Sequence, residues 1–171
     1  MDILILHGIG GHAGIHWQQW LHDELVGRGH WVSMPDLPEP QHPSRIEWLA
    51  AAGSECAHST DLCVVGHSLG VVTALDLSET TPIRTLVSVS GFARDYGSEL
   101  NSYFMANREI NFEKVRANVA NSFVLYGDND PYVPQNELAW LADQLGAEPT
   151  VIPGGGHLNS ESGYTKFERL L

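Results

Sequence analysis

Ser68, Asp130 and His157 are the residues of this 171-residue chain whose types and spacing could do acyl-transfer chemistry. Ser68 stands in Gly66-His67-Ser68-Leu69-Gly70, after the apolar run Leu62-Cys63-Val64-Val65 and before the helical pattern Val71-Val72-Thr73-Ala74-Leu75. A Gly-x-Ser-x-Gly pentad between a buried strand and a helix predicts a sharp turn that strains the serine backbone and exposes its hydroxyl. Glycines flank the serine because such a turn leaves no room for side chains. A serine hydroxyl is a weak nucleophile until a base takes its proton, and the base needs a third group to orient it. With a pentad of this kind the partners follow in the order acid, then histidine, on loops after later strands.

Both are present. The apolar stretch 122–126 is followed by Gly127-Asp128-Asn129-Asp130-Pro131-Tyr132, and the stretch 149–152 by Pro153-Gly154-Gly155-Gly156-His157. His157, behind three glycines, is the expected general base. Asp130 is preferred to Asp128 as the orienting acid. Pro131 biases Asp130 toward extended backbone, clear of the strand end, whereas Asp128 suits a local turn hydrogen bond. A developing oxyanion needs two N–H donors. The expected pair is the backbone of Leu69, just after the nucleophile, and that of Ile9 in the glycine-rich loop after the first strand. A histidine base works only while neutral, so acyl transfer should fall as pH drops below about 6–7.

Other histidines compete, since the chain has nine. His67, next to the serine, reads as a packing residue, and His7 as a buttress of the glycine loop. His12 and His16 have a metal-like spacing, but no helix runs through Gly14 and no carboxylate stands near, so no metal is expected. Gly8-Ile9-Gly10-Gly11-His12-Ala13 matches the dinucleotide fingerprint in letters. That fingerprint needs its helix to begin within the glycines, and Gly14 and His16 delay it. No cofactor is expected.

The elements that must hold these residues alternate. Strands are predicted over 2–7, 31–34, 62–65, 83–90, 122–126 and 149–152. Helices are predicted over 17–26, 44–58 with Ser44 as cap, 71–79, 135–145 and 163–171. Short loops between alternating strands and helices mean a single α/β domain, residues 1–171, with a mainly parallel sheet of about six strands and helices on both faces. The insertion 91–121 is the odd part, with weak helical patterns at 95–106 and 112–118. It reads either as a small lid or pocket wall carrying Phe92, Tyr96, Tyr103, Phe104 and Met105, or as one decorated crossover helix.

Composition sets the remaining bounds. A net charge of −12 would repel nucleic acid and anionic membranes but says little about a small neutral substrate. The expected partner, a small-molecule ester, follows from the acyl-transfer reading of Ser68, Asp130 and His157. Two cysteines, Cys56 and Cys63, suit reduced thiols and a cytoplasmic setting. The start Met1-Asp2-Ile3 has no basic segment and only a short apolar run after it, so neither a signal peptide nor a membrane span is expected. Oligomeric state is not legible.

The chain resembles the alpha/beta-hydrolase superfamily, and within it the small serine hydrolases of the retinoblastoma-binding-protein-9 and YdeN type. The motifs that carry the likeness are His7-Gly8, Trp17 and Trp20, the proline loop before Trp48, the pentad Gly66–Gly70, Asp130-Pro131-Tyr132-Val133-Pro134, and Gly155-Gly156-His157. The resemblance implies a minimal hydrolase without a large cap, a triad of Ser68, Asp130 and His157, and esterase activity on short acyl chains. The competing expectation is a non-catalytic binding module on the same fold.

Overall fold

The computed structural model describes residues 1–106 and 108–171; residue 107, in the expected insertion, lies outside them. Six strands form one sheet: β1 (Asp2–Leu6), β2 (Trp31–Ser33), β3 (Leu62–His67), β4 (Ile83–Val89), β5 (Val119–Gly127) and β6 (Thr150–Ile152). Their order is β2-β1-β3-β4-β5-β6 and every pairing is parallel. The chain therefore starts inside the sheet, steps outward to β2, then crosses back to β3. That reversal makes β1 and β3 neighbours, with Leu6 opposite Gly66, and at such a switch point the loops diverge to open a crevice.

Side chains alternate across the sheet because the strand period is two. Leu4, Leu6, Leu62 and Val64 enter one core, with α2 (Arg45–Cys56), α3 (Leu69–Ser78), α5 (Phe112–Asn118) and α6 (Gln135–Leu145). Ile3, Ile5, Cys63 and Val65 enter the other, with α1 (Gln18–Gly27) and the C-terminal segment. Every residue of α3 is buried, so the helix that follows Ser68 is the axis of the first core. Its Asp76 is met by the Arg45 guanidinium through two hydrogen bonds of 2.7 and 2.8 Å, which ties α2 to α3. Ser44 caps α2, accepting from the Glu47 amide at 3.4 Å.

Four expectations are corrected. The helix expected over 163–171 is absent: single 3-10 turns stand at Ser160–Ser162 and Glu168–Leu170, with Gly163 left-handed between them (φ 90). Tyr164 and Phe167 recur at three residues, a spacing shared by an α-helix stripe and by tighter turns, and both pack on the second core without a helix. The weak helical pattern at 95–106 yields only α4 (Ser102–Met105). The segment before it is folded by side-chain bonds of its own: Asp95 accepts from Gly97 N–H at 2.8 Å and Ser102 Oγ at 2.6 Å, and Asn101 Nδ2 donates to Tyr96 Oη at 3.1 Å. β5 starts three residues early, because 119–121 pair with β4 while remaining largely exposed and lacking an apolar run. Helix α2 ends at Cys56 rather than 58. Cys56 and Cys63 are both buried free thiols. Among the described residues no helix is long and apolar enough to cross a membrane.

Candidate active site

Ser68 occupies the junction of β3 and α3 with φ 54 and ψ −123, a conformation costly for a residue with a side chain. The turn is held from outside: Ser68 N–H donates to Val89 O on β4 at 2.9 Å. Gly70 explains the second glycine of the pentad, since a Cβ there would lie 2.5 Å from His7 O and 2.6 Å from Leu6 O, both fixed backbone atoms of the β1 end. The loop after β1 leans on the serine equally closely. A Cβ on Gly8 would sit 2.9 Å from Ser68 Cβ. His7 fixes that loop: its ring Nδ1 donates to Gly8 O at 2.8 Å while Nε2 accepts from Leu37 N–H at 3.0 Å. Only a neutral imidazole can do both, and burial holds His7 below the usual imidazole range.

At the other end of the sheet, the loops after β5 and β6 interlock. The Gly156 amide donates to Asn129 Oδ1 at 2.7 Å and the Gly154 amide to Asp128 Oδ1 at 2.8 Å. Gly127 lies so close to the Gly156 backbone that no side chain fits. Asp128 is thus engaged with the loop after β6, 26 residues away, rather than in the local turn hydrogen bond expected of it. Asp130 instead faces His157: Nδ1 stands 2.8 Å from Oδ2 and 3.0 Å from Oδ1, and Asp130 Oδ1 also accepts the amides of Tyr132 and Val133 at 2.9 and 3.1 Å. The Asp130 side chain is fully buried and that of His157 is 7% exposed. With Nδ1 donating to a carboxylate, Nε2 carries the lone pair.

Two further side chains hold the backbone at His157 and Leu158, and sequence reasoning missed both roles. His67 Nε2 donates to His157 O at 3.0 Å, and Trp17 Nε1 to Leu158 O at 2.8 Å. Leu158 is fully buried with φ 49. His67 itself is fully enclosed; burial first, then the neighbouring His157, hold its pKa well below the usual imidazole value. Its ring lies 4.9 Å from that of His157, centroid to centroid. Motif spacing gives no sign of these ties, since each joins residues far apart in the chain.

Ser68 and His157 line one cavity of about 590 Å³, together with Ile9, His16, Tyr96, Leu100, Asn101, Tyr132 and Glu161. Among the described residues the two share no direct hydrogen bond; they meet as walls of the same space, a looseness common before substrate binds. Leu69 opens α3, where the first amides have no helical partner. His12 and His16 are not joined by any third ligand, and no group of three His, Cys, Asp or Glu suited to a metal occurs among the described residues. A second hollow, of about 690 Å³, is lined by Arg94, Arg108 and Trp140. Its arginines are already engaged, Arg94 with Glu137 at 2.6 Å and Arg108 with Asp76 at 3.3 Å.

A family model described as serine hydrolase matches residues 3–171. The chain belongs to the serine hydrolase family. The serine hydrolase RBBP9 of Rattus norvegicus is 27% identical over 167 residues, covering 95% of this chain and 87% of that one. The ydeN gene product of Bacillus subtilis is 25% identical in its crystal structure, with a TM-score of 0.89 over 99% of this chain and 94% of that one. Est1E from Butyrivibrio proteoclasticus, 17% identical with a TM-score of 0.73 over 99% of this chain and 86% of that one, shares the fold. This serine hydrolase is therefore an alpha/beta-hydrolase of the RBBP9 and YdeN type.

Proposed function

We propose that the protein is a carboxylesterase acting through Ser68, His157 and Asp130 on small acyl esters. The observation that carries the reading is the buried His157–Asp130 pair, 2.8 Å apart, opening onto the cavity that Ser68 lines from a strained turn. Ser68 Oγ attacks the ester carbonyl carbon as its proton passes to His157 Nε2. The tetrahedral oxyanion collapses, the C–O bond to the alcohol breaks, and His157 returns the proton to the leaving oxygen. Water then repeats the sequence on the acyl-enzyme, releasing the acid and restoring Ser68. Asp130 keeps Nδ1 protonated and stabilises the imidazolium that forms.

The Leu69 and Ile9 amides are the proposed oxyanion donors. For Ile9 the support is that Gly10 and Gly11 on the same loop already donate, to Pro40 O at 2.6 Å and Gly8 O at 3.1 Å. Of the two readings of the insertion, we adopt the pocket wall, because Tyr96, Ser98, Leu100 and Asn101 line the cavity. A reducing, cytoplasmic setting is supported by the two unpaired buried thiols.

A fluorophosphonate probe should label the wild type and not Ser68→Ala. Loss of Ser68 or His157 should remove most of an acceleration of about 10⁶-fold in hydrolysis of a short nitrophenyl ester. Folded protein that resists labelling would overturn the proposal.

A further inference from the structure

The cavity shared by Ser68 and His157 is asymmetric in charge. Among the described residues no lysine or arginine lines it, and the one carboxylate on its wall is Glu161. Glu161 is held in place rather than left to wander: its Oε2 accepts the Tyr132 hydroxyl at 2.9 Å, with Asn159 Nδ2 at 3.5 Å. The Tyr132 ring stands edge-on to His157 at 5.0 Å, so one tyrosine separates the carboxylate from the proposed base. The nearby imidazoles do not offset it. His16 Nδ1 accepts the Ser160 amide at 3.2 Å, which leaves that nitrogen without a hydrogen. Burial and then His157 hold His16 below the usual imidazole range, and His67 is held lower still. Glu161 is solvent-exposed, and a carboxylate on the cavity wall with no fixed cation among the described lining residues to answer it raises the local concentration of cations and disfavours anions.

We infer that Glu161 makes this site prefer esters bearing an ammonium group over neutral esters of the same shape. The inference rests on the hydrolase reading above and adds the substrate class. Choline butyrate and 3,3-dimethylbutyl butyrate form the test pair, since they differ in a nitrogen for a carbon and hence in one positive charge. The ratio of their kcat/KM values should be about fivefold in favour of choline, the upper scale of one solvent-exposed charge pair. It should fall toward one at high salt, where such pairs are screened. In Glu161→Gln, whose amide can still accept from Tyr132, the ratio should collapse to about one. Glu24→Gln removes the same unit of charge from the exposed outside of α1 and should leave the ratio as it is.

The free alcohols, choline and 3,3-dimethylbutanol, give the same ordering as competitors of fluorophosphonate labelling, independently of turnover. A wild-type ratio of one or less, equal protection by the two alcohols, or a ratio untouched by Glu161→Gln would overturn the inference. Hydrolysis of both esters without preference sinks this inference alone; failure of both hydrolysis and labelling sinks the hydrolase reading beneath it.

Discussion

His67→Leu and His67→Gln test how the strained turn at His157 is held. In the wild type the His67 Nε2–H is the partner of the His157 carbonyl at 3.0 Å, in a fully enclosed environment. Leucine fills similar space but leaves that carbonyl buried and unpaired, which costs about 1–3 kcal/mol. For a domain of this length that is a fall in Tm of about 2–12 °C. Glutamine can present an amide N–H at similar reach, so most of the loss should be recovered at pH 8. The acid limb separates the two contributions further. The pKa of His67 is depressed in the folded protein from an ordinary 6.5, so the unfolded chain takes up a proton there that the native state refuses. Stability from this group is complete above about pH 6.5 and is lost as pH falls toward the folded-state value, at up to about 1.4 kcal/mol per pH unit. Both variants should lose that share of the acid slope, while His7 and His16, also depressed by burial, keep theirs. Urea unfolding between pH 5 and 8 measures all of this. A leucine variant as stable as wild type at pH 8, or a glutamine variant with the wild-type acid slope, would refute the reasoning.

Two other substitutions probe neighbouring links. Asp130→Asn should lower kcat by about 10³–10⁴-fold while the protein stays folded, because an amide facing Nδ1 no longer enforces the protonated nitrogen that leaves Nε2 basic; steady-state kinetics with a nitrophenyl ester reads it, and a loss under tenfold would count against Asp130 as the orienting acid. Gly70→Ala should destabilise by at least about 2–3 kcal/mol in thermal unfolding, since the new methyl meets two fixed carbonyl oxygens at 2.5 and 2.6 Å rather than a yielding side chain.

The parts of this molecule that the sequence made legible share one property: a local pattern suffices to specify them. The run Leu62–Val65 and the pentad after it needed only a strand, a sharp turn and a helix in succession, and the structure has β3, Ser68 at φ 54 and α3. Asp130 could be preferred to Asp128 because Pro131 acts on its immediate neighbour. Asn129, Trp17 and the tie from His67 to His157 were not legible, because each hydrogen bond spans from 27 to 141 positions and nothing in a local window marks its ends. The start of β5 escaped notice because backbone pairing with β4, not apolar content, makes it a strand. The segment after 163 misled for the opposite reason: Tyr164 and Phe167 have the apolar spacing of a helix, but the left-handed Gly163 and the non-helical Phe167 (φ −143, ψ 77) break it into turns.

The wall segment before α4 has a practical consequence. The bonds that shape it, from Asp95 to Gly97 and Ser102 and from Asn101 to Tyr96, begin and end inside residues 95–102. The triad candidates stand on other loops, with their own fastenings. A designer could therefore exchange residues 95–101 to widen or narrow the mouth while Phe92 and Ala93 stay in the core and the loops that carry Ser68, Asp130 and His157 keep their alignment.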